Sequence, residues 1–259
     1  MKKNVILHGD ALKLVRQLPG SSIDLIICDG PYGVTNEKWD RISSIQQYNL
    51  DLIELFSRVL KPGGSFYLFG KENCIDFIDY RPFLQLQRKI IWYQPSRLAQ
   101  GRKNYTNNYD IIAYFTKGVA NTFDLEAIRV PQLVELEHRR RVEKVPSVLK
   151  GKFGKTKFNE KGKNPGDVWG DIKQLTYKSK ELLGRDLLNT IQKPEKLIER
   201  IVKASSEKGD LVLDPFSGVG TTFAVCKKLK RDFIGFEINK EYIRISNERV
   251  KKITPSSQV

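Results

Sequence analysis

Short apolar runs that end on Gly, Asp or Pro alternate along this chain with stretches whose apolar positions recur every three or four residues. Asn4-Val5-Ile6-Leu7-His8, closed by Gly9-Asp10, and Ile23 to Cys28, closed by Asp29-Gly30-Pro31, have the length and continuity of buried strands. Between them Ala11 to Leu18 has helical spacing and stops at Pro19-Gly20, giving a strand, helix, strand unit. The pattern predicts a second helix over Leu50 to Leu60, ended by Lys61-Pro62-Gly63-Gly64, and a strand over Ser65 to Phe69. Ile90 to Tyr93 and Asp110 to Phe115, rich in β-branched and aromatic residues, predict two more strands. After Pro194 come a helix over Glu195 to Ser205, a strand at Leu211 to Leu213 and a helix over Thr221 to Leu229. A strand at Phe233 to Phe236 and a helix over Lys240 to Val250 complete the series, with fraying expected from Thr254. Such elements imply an α/β fold whose sheet has some antiparallel content.

From Arg139 to Lys163 the rhythm breaks. Ten basic residues stand there against Glu143 and Glu160, with Gly151, Gly154 and Gly162 and little apolar periodicity, so an exposed loop or arm is expected. The whole chain repeats the imbalance, with 45 Lys and Arg against 30 Asp and Glu and a formal charge of +15. An excess of that size favours a polyanionic partner, nucleic acid above all, over a neutral metabolite. Basic chains also adhere to membranes, but no apolar run approaches the roughly 18 residues that span one and no signal-peptide core is seen, so a cytoplasmic protein is expected. At 259 residues one catalytic α/β unit with an insert is more plausible than two full domains. Cys28, Cys74 and Cys226, odd in number and widely spaced, read as reduced, buried thiols, and no metal site is expected.

Two segments carry chemistry. Asp214-Pro215-Phe216-Ser217-Gly218-Val219-Gly220-Thr221-Thr222 stands between a strand and a helix, where Gly218 and Gly220 permit a tight turn and a close ligand approach. No lysine follows Gly220, which excludes a P-loop, and Phe223 stands where a dinucleotide fingerprint needs its third glycine. An adenosine-plus-amino-acid ligand fits better: Asp214 would meet a cationic α-amino group, and Glu237, ending the next strand, would accept from both ribose hydroxyls. A purely structural turn is the alternative. The second segment, Asp29-Gly30-Pro31-Tyr32, follows the strand Ile23 to Cys28. An aryl amine is a poor nucleophile because its lone pair is delocalised into the ring. The Asp29 carboxylate and the Gly30 carbonyl would accept its two N–H bonds and free that lone pair, while Pro31 stiffens the turn and Tyr32 offers a ring for stacking. Asp-Gly-Pro is also ordinary turn chemistry.

In combination, Asp29-Gly30-Pro31-Tyr32 resembles the Asp-Pro-Pro-Tyr motif of amino-directed DNA methyltransferases, and Asp214 to Gly220 resembles their Asp-Pro-Phe-x-Gly-x-Gly cofactor loop. The catalytic-type motif comes first, the basic insert next and the cofactor-type loop last, an order similar to the permuted β class of adenine-N6 or cytosine-N4 enzymes. His8-Gly9-Asp10-Ala11 looks like that family's segment for the cofactor adenine, and Gln192 to Ile198 like the stretch whose lysine region meets the methionine carboxylate. The resemblance spans nearly the whole chain except the insert. It implies a Rossmann-like methyltransferase fold, a mostly parallel sheet with antiparallel edge strands, and S-adenosylmethionine as cofactor. Residues 1–97 become the catalytic half and 169–259 the cofactor-binding half, while 98–168 is a target-recognition insert overlapping the last core strands. By the same resemblance Asp10 and Ala11 lie at the cofactor's adenine, Lys193 at its carboxylate and Glu237 at its ribose. Asp214, Phe216, Ser217, Gly218, Gly220 and Thr221 line its methionine and ribose end, and Asp29 faces both cofactor and target. The family usually has Pro at position 30. Glycine keeps the needed carbonyl and loses rigidity, so transfer is expected to survive with some preorganisation lost.

An Asp-led motif leans toward adenine, with cytosine-N4 transfer as the alternative, and the chain has no Pro-Cys dipeptide for carbon-5 chemistry. Cys28 reads as core packing. The target base must leave the stack, and Arg139, Arg140, Arg141, Lys144, Lys150 and Lys152 are candidates for the backbone contacts that offset this cost. Tyr105, Asn107, Asn108 and Tyr109 form a second cluster near the flipped base at most. Double-stranded DNA is the expected partner, and a homodimer and a cognate restriction endonuclease are compatible with the resemblance. Two other classes stay open: a methyltransferase acting on RNA or a protein amide, and a non-catalytic nucleic-acid-binding protein with a degenerate methyltransferase fold. The intact Asp29, Gly218 and Gly220 argue against the second.

Overall fold

The computed structural model describes residues 1–33, 42–95, 103, 105–132, 159–183 and 192–254. In chain order the first half carries β1 (Val5–His8), α1 (Ala11–Arg16), β2 (Ile23–Cys28), α2 (Ile45–Val59), β3 (Leu60–Gly70), α3 (Glu72–Ile75), β4 (Gln85–Tyr93) and β5 (Tyr109–Thr116). The second carries β6 (Val168–Trp169), α4 (Glu195–Ser205), β7 (Leu211–Asp214), α5 (Thr221–Lys228), β8 (Asp232–Glu237) and α6 (Lys240–Lys251). These eight strands make one sheet in the order β1-β8-β7-β2-β3-β5-β4-β6. The first five in that order are parallel, β5 runs antiparallel to both β3 and β4, and the two-residue β6 lies parallel to β4 at the margin. The antiparallel content thus sits toward one edge of a mostly parallel sheet, and β5, from within the expected insert, belongs to the core.

Both faces of the sheet are covered, which is why its central strands are continuous apolar runs. Along β2, Ile26 and Cys28 pack with Val15 of α1 and Leu52 and Phe56 of α2, whereas Leu25 and Ile27 pack with Leu197 and Ile201 of α4 and Phe223 of α5. Each fully buried side chain of this kind contributes roughly 1.5–3 kcal/mol, so the sheet is a firm base for whatever its strand ends carry. All three cysteines are buried free thiols, as expected. Among the described residues no helix is long and apolar enough to cross a membrane.

Some boundaries differ from the sequence reading. Helix α2 starts at Ile45, because the Ser44 hydroxyl caps it by accepting from the Gln47 amide at 3.2 Å and the buried stripe Ile45, Asn49, Leu52, Ile53, Phe56 extends to its first turn. Strand β3 starts at Leu60 and takes in Pro62-Gly63-Gly64. Ile23 pairs with Leu60 and Leu25 with Ser65, so the extra residues are absorbed as an irregularity. Most important for function, β7 lies beside β2, Leu25 opposite Val212 and Ile26 opposite Leu213. That pairing brings the ends of β2 and β7, from the two halves of the chain, next to each other.

Candidate active site

The chain leaves β2 through Asp29 into a turn whose Pro31 is buried and whose Tyr32 is half-buried. Lys193, just before the Pro194 that stands at the N-cap of α4, reaches across to this turn. Its ammonium donates to Asp29 Oδ1 at 2.8 Å and Oδ2 at 2.7 Å and lies 3.5 Å from the Tyr32 hydroxyl. The same ammonium sits 5.7 Å from the Tyr32 ring centroid and 5.5 Å from that of Phe69, with its side chain only 7% exposed. One carboxylate and two aromatic faces therefore compensate a buried cation. The Tyr32 hydroxyl donates to Asp29 Oδ1 at 2.7 Å. Burial first, then the charges of Asp29 and Asp110, push that phenol well above its ordinary range, so it stays a donor.

Behind the turn is a buried polar network that the sequence reading missed. Lys71 pairs with Asp110, and Gln94 Nε2 donates to the other Asp110 oxygen at 2.7 Å. The Cys74 thiol donates to the Tyr32 carbonyl at 3.6 Å. The cluster singled out as Tyr105, Asn107, Asn108 and Tyr109 divides here. The Asn108 backbone carbonyl accepts from the Gln94 backbone N–H at 2.7 Å, Asn107 Oδ1 accepts from Lys71 at 3.3 Å, the Tyr109 hydroxyl donates to Glu72, and Tyr105 is exposed. Three of the four brace the ends of β3, β4 and β5. The only sequence signal was polar residues at the head of an apolar strand.

Strand β7 ends on Asp214, 6% exposed, whose Oδ2 accepts from the Thr222 hydroxyl at 2.5 Å and Oδ1 from the Phe216 amide at 3.1 Å. Burial pushes its carboxyl up to about 7; those two hydrogen bonds oppose the shift and the charges of Asp29 and Glu237 add to it. At the end of β8, Glu237 Oε2 accepts from the Gly218 amide and Oε1 from the Asn239 amide, each at 2.8 Å. Its carboxyl is also raised, by burial, against those same amides. Gly218 has φ +50° and open space on its side-chain side, while Gly220, at φ +78°, caps α5 in the left-handed conformation. A Cβ on Gly220 would lie 1.9 Å from Ser246 Oγ, so only glycine fits. On β1, the Gly9 amide donates to the Glu237 carbonyl at 3.0 Å, which brings Asp10 to the same row of strand ends.

Asp29, Asp214, Glu237 and Asp10 thus stand at the carboxyl ends of four adjacent parallel strands, the usual place for a ligand crevice in an α/β sheet. Several of the expected residues also bond within the scaffold. The Ser217 hydroxyl donates to the Phe236 carbonyl at 3.1 Å, and Thr221 Oγ1 accepts from Arg249 at 3.0 Å. Asp10 Oδ1 caps α1 by accepting from the Lys13 amide at 3.0 Å, and Ala11 is buried in the core. Lys193 meets Asp29, where the resemblance put it at a cofactor carboxylate. Arg139, Arg140, Arg141, Lys144, Lys150 and Lys152 lie outside the described residues.

A doubly covered α/β sheet with these two turns at adjacent strand ends defines an amino-directed methyltransferase. The chain belongs to the DNA methylase family of N6/N4 type, which it matches over residues 23–248. It is 33% identical over 257 residues to the type II methyltransferase M.BglII of Bacillus subtilis, with 94% of this chain and 68% of that protein covered. With the DNA adenine methyltransferase YhdJ of Escherichia coli K12 it shares 34% identity over 259 residues, covering 95% and 82% of the two chains. Its fold matches the crystal structure of the M1.HpyAVI–SAM complex with a TM-score of 0.62 at 24% identity, over 95% of this chain and 98% of the other.

Proposed function

We propose that this protein transfers the methyl group of S-adenosylmethionine to the N6 amino group of an adenine turned out of duplex DNA. The observation that carries the reading is the β2–β7 adjacency, which sets the Asp29 turn beside the Gly218–Glu237 cradle. That cradle fits the cofactor. Glu237 accepts from the Gly218 amide on one oxygen and the Asn239 amide on the other and offers its remaining acceptor capacity to the ribose hydroxyls, Gly218 leaves open space, and Asp214 is a buried carboxylate suited to an ammonium. When bound, the cofactor supplies an electrophilic methyl group on a sulfonium. On the protein side, Asp29 and the Gly30 carbonyl accept the two N–H bonds of the target amine, which raises the electron density on nitrogen, and the Tyr32 ring stacks on the base. Transfer would form the nitrogen–methyl bond as the methyl–sulfur bond breaks, leaving a neutral thioether, and the nitrogen would pass one of its two protons to Asp29 Oδ2 and from there to solvent.

An Asp-led turn and the name of YhdJ as an adenine methyltransferase support adenine. The family takes both N6 and N4. In this reading residues 98–168 recognise the target, with Arg139, Arg140, Arg141, Lys144, Lys150 and Lys152 on backbone phosphates, and the protein works on cytoplasmic DNA. The type II designation of M.BglII supports a role in restriction-modification, beside an endonuclease of matching specificity. Incubation with unmodified duplex DNA and methyl-labelled cofactor, followed by digestion to nucleosides, tests the proposal. Label is expected in N6-methyldeoxyadenosine. Label in N4-methyldeoxycytidine moves the atom and base, and label only in RNA or protein overturns the reading.

A further inference from the structure

An ionised carboxylate offers about four acceptor positions, two on each oxygen. On Asp29, Lys193 takes one position on each oxygen and the Tyr32 hydroxyl takes a second on Oδ1. One position, on Oδ2, is left. Lys193 is itself fixed, because moving its ammonium would take it off the faces of Tyr32 and Phe69 and out of a site where it is 7% exposed. We infer that Lys193 is a positioning residue for methyl transfer, clamping both Asp29 oxygens so that a single Oδ2 acceptor position faces the target amine.

This inference rests on the function proposed above and adds a residue that acts through Asp29. An unclamped carboxylate would rotate and exchange its acceptor positions with water. A clamped one takes a single N–H of the amine, so the second N–H must go to the Gly30 carbonyl, and the nitrogen lone pair is left pointing away from both acceptors. The competing role is the one the family resemblance implied, in which Lys193 holds only the cofactor's carboxylate. The two roles separate at saturation, because a lost cofactor contact is overcome by more cofactor and a misaligned Asp29 is not.

The test compares wild type with Lys193→Met, which keeps the bulk and removes the charge, and Lys193→Arg, which can still engage both oxygens. Cofactor Kd is measured directly by equilibrium binding, and kcat is measured on unmodified genomic DNA with DNA and cofactor saturating. We expect kcat of Lys193→Met to fall about a hundredfold and Lys193→Arg to recover at least about tenfold of that loss. A kcat for Lys193→Met within about threefold of wild type, with the loss confined to cofactor Kd and KM, overturns the inference. Should Lys193→Met fail to fold, Tyr32→Phe keeps the ring and frees a second Oδ1 position. It should lower kcat roughly fivefold with cofactor Kd unchanged, and an unchanged kcat overturns the inference. A wild-type protein that labels no DNA overturns the functional reading itself, whereas wild-type labelling with unaffected variants overturns only the role of Lys193.

Discussion

The Phe216 ring occupies the place a side chain on Gly30 would need: a Cβ there would meet its Cε2 at 3.1 Å and Cδ2 at 3.3 Å. Gly30 is not among the glycines with a left-handed φ, so its backbone does not require glycine, and a side chain there would ask the Phe216 ring to give by a few tenths of an ångström. The catalytic turn and the cofactor loop touch at this point. Where the family usually has proline, a ring from the other motif lies against the turn here.

Gly30→Pro therefore has a definite expected outcome. The fold should survive, since the Phe216 ring need give by only a few tenths of an ångström. Displacing that ring moves the cofactor loop relative to Asp29, so kcat should fall about tenfold with little change in the melting curve. A rise in kcat would show that rigidity was what the turn lacked.

The Asp29–Lys193 pair gives a stability prediction of its own. Asp29→Ala leaves an ammonium that is 7% exposed without its carboxylate, at a cost of about 2–3 kcal/mol in urea unfolding, somewhat below a fully buried pair because Asp29 is 26% exposed. Adding Lys193→Met to Asp29→Ala should recover most of that loss. Asp29→Ala should still bind cofactor while losing transfer; failure to bind would mean that Asp29 belongs to the cofactor site.

Gly218 and Gly220 should separate stability from binding. At Gly220 an alanine Cβ would lie 1.9 Å from Ser246 Oγ and 2.8 Å from Ser246 Cβ at an unfavourable φ, so Gly220→Ala should cost more than about 2 kcal/mol. Gly218→Ala meets nothing within 4 Å and should cost about 1 kcal/mol, for its φ of +50° alone, while its methyl enters the proposed cofactor space and weakens binding. Melting temperatures and cofactor Kd for the two variants check the contrast.

Much of this site was legible because its key residues punctuate the sequence. Asp29, Asp214 and Glu237 each close an apolar run, and at Asp29 and Asp214 the Gly30 or Pro215 that follows makes the carboxylate stand out further from the core pattern. What joins them was not written locally. The β2–β7 pairing is a contact between chain halves, and only the motif order, through resemblance, pointed to it. Lys193 on Asp29 depends on that pairing, so it could not be read from spacing. Phe69 and Asp110 were missed for a related reason: each looks like an ordinary core or strand residue until its partner arrives from another element. Membership of the loop motif does not fix which way a hydroxyl turns, and those of Ser217 and Thr221 bond within the fold.

Asp214 links the fold to pH. Burial lifts its carboxyl from 3.8 to about 7, so the folded state holds this proton more tightly than the unfolded chain does. The group's contribution to stability is therefore complete below pH 4 and lost as pH rises toward 7, leaving an ionised buried carboxylate that costs on the order of a few kcal/mol. Asp214→Asn should be indifferent over that window, so its stability relative to wild type should climb between pH 4 and 7 and level off above. Cofactor binding should run the other way. A cationic α-amino group beside Asp214 favours the ionised carboxylate, so wild-type affinity should rise up to about tenfold per pH unit from 5.5 to 7, below the range of about 7.7–8.0 where the cofactor's own α-amino group loses its proton. Measuring cofactor Kd from pH 5.5 to 7 in wild type and Asp214→Asn tests this, with a flat profile expected only in the variant. A wild-type Kd that does not change with pH would remove Asp214 from the ammonium and leave its hydrogen bonds to Thr222 and Phe216 as its whole role.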